Sequence, residues 1–176
     1  MVQKMSEDVN RNRLITDDVC EALKEGQTPI VLTGLTAHVE TLTKALAPHC
    51  KHVVTLVGSE PAKEKHRRME YLQNVQPSEP LVIVATGKYV GEGFDYPRLD
   101  TLFLALPVSW KGIVAQYAGR LHREYTGKKE VRIYDYIDIR MPMCDVMYRR
   151  RLKGYASVGY RIKQEKPVYV SAESLQ

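Results

Sequence analysis

The sequence predicts an α/β protein, a single domain built on a doubly wound parallel sheet with helices on both faces. Three observations predict it. Five short apolar runs, most without an alternating polar face, recur along the chain, as expected of strands buried on both sides. Segments with apolar residues at helical spacing separate them. With 176 residues and 44% hydrophobic content, the chain can build one real core but not comfortably two.

Residues 1–27 read as a helical lead-in, in which "ITDDVCEALKEGQ" is a helix ending near Gly26. "TPIVLT" is the first strand, with Pro29 at its edge. In "TAHVETLTKALAPH", Val39, Leu42, Ala45 and Leu46 repeat at helical spacing, and Pro48 stops the helix. "KHVVTLVG" is the second strand, and the polar, basic "SEPAKEKHRRMEYLQNV" is a surface helix. "PLVIVAT" is the third strand. A glycine-rich loop, "ATGKYVGEGFDYPRLD", leads to the fourth, "TLFLALP", and a helix containing "QYAGRLHR" leads to the fifth, "VRIYDYID". This places the main domain at residues 28–140. Residues 141–176 form a further helix and a Lys-rich tail. Arg149, Arg150 and Arg151 point three ways on that helix, and a solvated face is the expectation for the run.

Composition narrows the function classes. Lys and Arg number 26 against 21 Asp and Glu, with a pI near 9.0, a mild lean toward an anionic partner. Cys20, Cys50 and Cys144 are odd in number and widely spaced, which suggests neither a disulfide framework nor a zinc site and fits a reducing cytoplasm. No run approaches the ~20 apolar residues of a membrane helix. The first residues are too charged for a signal peptide.

Two stretches carry chemistry. In "QYAGRLHR", Arg120 and Arg123 stand three residues apart, a spacing that on a helix puts both guanidinium groups on one face. Paired planar cations grip phosphate or carboxylate oxygens, although a solvated basic helix has the same pattern. "GEGFDY" lacks the third glycine of a dinucleotide fingerprint, where Tyr96 stands. "TGKY" fails as a P-loop, with Val82 and Tyr89 at positions needing Gly and Ser or Thr. What remains is a long loop at the carboxyl end of a central strand, where open α/β sheets place ligands. Gly87, Gly91 and Gly93 allow close backbone approach there, and Asp95 supplies a carboxylate.

Together, "ATGKYVGEGFD" and "QYAGRLHR" resemble motifs V and VI of superfamily 2 helicases. The order of elements from residue 28 to 140 is similar to the second, C-terminal RecA-like domain, particularly in the restriction-type and DEAD/DEAH-like bacterial branch. The DEAD-box branch would carry Arg before the glycine of "EGFD" and His at Gln116. The resemblance implies that Arg123 is an arginine finger for ATP held with Mg²⁺ on a first RecA-like domain. Arg120 would accompany it on the γ-phosphate, with Gln116 organising the same interface. Gly93, Asp95 and Gly119 would lie beside the nucleotide or the arginines, and Thr86, Gly87 and Thr33 would meet a nucleic-acid strand, expected to be DNA with RNA possible. His38 has either a surface or capping role or a nucleic-acid contact. Trp110 and Tyr117 could stack on bases, with burial against the sheet the expectation.

By the same resemblance, the P-loop Lys, the Mg²⁺-binding acid and the general base belong to the first RecA-like domain, and this sequence has none of them. The chain is then expected to be either an excised half of a longer protein, favoured by its mid-pattern start, or a subunit working with a partner, and inactive alone. A non-catalytic nucleic-acid-binding or regulatory module with the same fold is the alternative. No metal site and no membrane partner are expected.

Overall fold

The computed structural model describes residues 1–108, 110–138 and 140–163. Strands β1 (Pro29–Thr33), β2 (His52–Leu56), β3 (Leu81–Thr86), β4 (Thr101–Leu104) and β5 (Arg132–Asp135) form one all-parallel sheet ordered β2-β3-β1-β4-β5. The doubly wound α/β class expected from the sequence is the one observed. β1, β3 and β4 are buried at every residue, whereas the edge strands β2 and β5 are largely half-buried. That division explains why the polar residues fall in "HVVTL" and "RIYD" and the continuous apolar runs in the centre.

Successive side chains leave a strand on opposite faces, and two cores result. Ile30, Leu32, Ile83, Ala85, Leu102 and Leu104 pack against Leu72 of α4 (Ala62–Asn74), Tyr89 and Val90 of α5 (Gly87–Gly91), Tyr117 of α6 (Ala115–Arg120) and Tyr155 of α7 (Pro142–Ser157). Val31, Val82, Val84 and Phe103 pack on the other face against Ile15, Val19 and Ala22 of α2 (Val9–Lys24) and Val39, Leu42 and Leu46 of α3 (Thr36–Leu46). Burying each large apolar side chain contributes roughly 1.5–3 kcal/mol, so the helix within the lead-in is part of what stabilises the sheet. Asp8 starts that helix, its carboxylate accepting the amides of Asn10 at 2.9 Å and Arg11 at 3.0 Å. A shorter helix, α1 (Val2–Ser6), joins Met5 to Leu106 and Cys144.

Two local expectations change. The glycine-rich stretch does not begin as a loop: Ala85 and Thr86 close β3, Gly87–Gly91 form α5, and the irregular backbone starts at Glu92. The helix of "QYAGRLHR" stops at Arg120, so Arg120 and Arg123 do not share a helical face. Backbone amides of His122 and Arg123 bond three residues back, to Gly119 and Arg120, a tighter winding than that of α6.

Candidate functional site

β1, β3 and β4 end at the edge where the predicted residues gather. Thr86 closes β3 and is buried, its Oγ1 accepting the amide of Gly58 at 3.1 Å, and among the described residues its own proton has no acceptor. That bond stitches the loop after β2 to the start of α5. A Cβ at Gly58 would come within 2.8 Å of Cγ of Lys88, so the lysine stem lies directly over this glycine. Gly87 opens α5 beside Thr86, and Gly93 turns the chain at φ +96°, a conformation that glycine adopts freely.

Past that turn, Phe94 is buried, edge-on to Tyr89 at 5.8 Å and stacked on Tyr117 at 6.2 Å. Tyr117 is therefore a wall of the core and not a stacking platform for bases. The Trp110 side chain and the tail beyond Lys163 lie outside the described residues. Arg120 donates through Nη1 to the Phe94 carbonyl and lies 6.0 Å from the Tyr117 ring. Arg123 donates through Nη2 to Oδ2 of Asp95 at 2.7 Å. The two stretches singled out in the sequence thus meet through both arginines. Their environments differ: Arg120 is half-buried and spent on the backbone, whereas the Arg123 side chain keeps 60% exposure with Asp95 on one side. Gln116 and Gly119 are exposed on α6, and nothing lies within 4 Å of a Cβ built at Gly119.

Sequence reasoning missed Lys128. Its Nζ donates to the carbonyls of Leu121 at 2.9 Å and Arg123 at 2.6 Å, closing the turn after α6. Burial pulls its ammonium below the usual lysine range, partly opposed by Asp100 and Asp95. The only local signal is Gly127, whose φ of +85° returns the chain toward α6. Arg98 was missed as well: it is buried, donating to Oγ1 of Thr28 at 3.1 Å and to the carbonyls of Gln76 and Glu79.

Thr33 and His38 depart from expectation. Thr33 is 1% exposed, and its hydroxyl meets Nδ1 of His38 at 2.9 Å. The His38 Nε2 lies 2.8 Å from Oδ1 of Asn12, whose amide nitrogen donates to the Ser6 carbonyl at 2.8 Å. Since the Asn12 oxygen can only accept, Nε2 carries the proton and Nδ1 accepts from Thr33. This network leaves neither hydroxyl nor imidazole facing a ligand, so the strand contact expected of Thr33 and the surface, capping or nucleic-acid role of His38 give way to an internal brace.

Burial, reinforced by the nearby Arg11 guanidinium, lowers the His38 pKa from 6.5 to about 4. A histidine held neutral in the fold stabilises it fully above its unfolded pKa, and that contribution is lost as pH falls from about 6.5 through about 4. The gap corresponds to about 3 kcal/mol. Chemical denaturation across this window should show wild type losing stability with acid more steeply than His38→Gln, and parallel curves would refute the assignment.

The arginine run also divides differently from expectation. Arg151 is 1% exposed and grips Asp135 through two bonds, Nε–Oδ2 at 2.7 Å and Nη2–Oδ1 at 2.9 Å, while Nη1 donates to the Val108 carbonyl. Tyr155 donates to the same carboxylate at 2.8 Å. Among the described residues, no group of three His, Cys, Asp or Glu is placed to hold a metal, and no helix is long and apolar enough to cross a membrane.

No protein-family model matches the chain. Transcript termination protein A18 of fowlpox virus is 28% identical over 137 residues, covering 76% of this chain and 29% of that protein. Its cowpox virus counterpart is 30% identical over 122 residues, covering 68% and 24%. The chain thus spans less than a third of these relatives. Among solved structures, T4 UvsW aligns with a TM-score of 0.68 at 18% identity, over 89% of this chain and 34% of that one. The C-terminal part of the Fun30 ATPase domain aligns at 0.58 with 17% identity, over 77% and 44%. The two structural likenesses show the fold, a RecA-like α/β domain.

Proposed function

We propose that this chain is the C-terminal motor half of an ATP-dependent nucleic-acid helicase or translocase of superfamily 2, working with a first RecA-like domain in the same protein or in a partner subunit. The observation that carries the reading is the Arg123 guanidinium, steadied by Asp95 yet open to solvent at the ligand-binding edge of the sheet. With Nη2 on Asp95, its remaining N–H groups are free to form a fork on phosphate oxygens. Arg120 holds Phe94 in place and so positions Asp95 beside it, a supporting role in addition to the phosphate contact that the resemblance implies. ATP with Mg²⁺, bound mainly by the first domain, supplies the phosphoryl group. The residues here suit one wall of that site, and among the described residues no group of three His, Cys, Asp or Glu is placed to hold the Mg²⁺.

Thr86, with a free donor proton beside the backbone amides at the start of α5, suits one phosphate of a strand running across the carboxyl edge. The likeness to transcript termination proteins supports a nucleic-acid track, with DNA proposed as the strand. Glu92 before Gly93, together with Gln116, separates the chain from the DEAD-box branch and favours the restriction-type assignment. In an ATPase assay with single-stranded DNA, the isolated chain should show no turnover, and joining it to a P-loop-bearing first domain should produce DNA-stimulated hydrolysis. Robust hydrolysis by the chain alone, or none by the joined protein, would overturn the proposal.

A further inference from the structure

Between Asp145 and Glu165 the sequence carries no carboxylate and six cations. The structure sorts them. Arg151 is consumed by Asp135 in the interior, and Arg149 reaches back to Asp145, with Nε 2.9 Å from Oδ2. Arg150, Lys153, Arg161 and Lys163 are exposed and make no ion pair among the described residues. Arg150 and Lys153 stand three residues apart on α7 and share its outer side.

After α7, Gly159 at φ +90° reverses the chain, and Tyr160 fastens it beside α6 and the turn that follows it. Its hydroxyl donates to the Ala118 carbonyl of α6 at 2.8 Å, and its ring lies 5.1 Å from His122 and 6.3 Å from Tyr155. Arg161 and Lys163 therefore emerge from the flank of the segment that carries Arg120 and Arg123. From Arg149 onward, the exposed positions of α7 are Arg149, Arg150, Lys153, Ala156 and Ser157. None is apolar and larger than alanine; Val158 and Ile162 are exposed just beyond the helix, two apolar side chains among Arg150, Lys153, Arg161 and Lys163, so charge dominates this face.

We propose that the outer face of α7 and the segment Tyr160–Lys163 form a second phosphate-backbone contact for nucleic acid, apart from Thr86 and tied to the arginine-bearing turn through Tyr160. The proposal rests on the nucleic-acid part of the reading above and needs nothing from the ATP site. Four cations without an ion pair among the described residues suit a repeating line of phosphates, and binding there releases counterions in proportion to the phosphates neutralised.

The test is binding of the whole chain to a fluorescent oligo-dT strand between 50 and 200 mM salt, with thermal unfolding confirming that each variant is folded. The combined variant Arg150→Gln, Lys153→Gln, Arg161→Gln should bind at least about 10-fold more weakly at 50 mM salt. Its slope of log affinity against log salt should be shallower by about 2, near 0.7 for each of three lost contacts. Thr86→Val should weaken binding with the slope nearly unchanged. If the triple variant keeps the wild-type slope while Thr86→Val loses affinity, the second surface falls and the motor reading stands. Loss of binding only in the triple variant supports this surface and removes Thr86 from the track. Displacement of the strand by polyglutamate as readily as by unlabelled oligo-dT would make the face a general polyanion or acidic-protein site and overturn the proposal.

Discussion

Replacing Arg123 by alanine in the joined two-domain protein should lower ATP turnover by about 10³-fold or more while changing ATP affinity only a few-fold. Asp95 holds one edge of the guanidinium at 2.7 Å and the rest faces solvent, so the group stands ready for charge that develops in the transition state. Arg123→Lys should restore little, because an ammonium cannot bond Asp95 and a phosphate in one plane. Asp95→Ala should be milder, with turnover falling by less than about 100-fold, since it removes the support and not the cation. Near-normal turnover in the lysine variant would refute the finger assignment, and an Asp95 effect equal to that of Arg123 would move the chemical weight to the carboxylate. Steady-state kinetics with saturating DNA decides both points.

The second large effect is on stability. Arg151→Met should destabilise the domain by about 3–5 kcal/mol, because it strands the Asp135 carboxylate in the interior. Tyr155 would still bond one oxygen, but the other loses its partner. For a domain of this size the melting temperature should fall by roughly 10 °C. Replacing both partners together, Arg151→Met with Asp135→Leu, should recover much of the loss because no uncompensated charge remains. A single variant within about 1 kcal/mol of wild type in urea unfolding would mean that the pair contributes little. Arg149→Ala should cost less than about 0.5 kcal/mol, since its partner Asp145 lies on the surface. This contrast separates neighbours in one run of three.

The sheet was legible because its signals are local. Continuous apolar runs marked β1, β3 and β4, and Gly26 and Pro48 punctuated the helices around them. The resemblance of two motifs left Asp95 beside either the nucleotide or the arginines, and no spacing could choose, since Asp95 and Arg123 come together only when α6 packs beside Phe94. Thr33, His38 and Arg151 were misread for a shared reason. Each is a polar residue whose partner sits on another element, His38 for Thr33, Asn12 for His38 and Asp135 for Arg151, and burial of a satisfied polar group leaves no periodic trace in the sequence. Lys128 was hidden similarly, because its acceptors are backbone carbonyls, which every residue has.

The strand order has a consequence for how the chain is made. β1 is synthesised first yet lies in the middle, its Ile30 pairing on one side with Ile83 and on the other with Leu102. At roughly 5–20 residues per second, several seconds separate the appearance of β1 from that of β4. The run "PIVLT" has both hydrogen-bonding rims open until β3 has emerged, and the rim that pairs with β4 stays open until Leu104 follows. The nascent chain is therefore most prone to aggregate before Leu104 has emerged, and truncations ending between β3 and β4 should be the least soluble pieces of this protein.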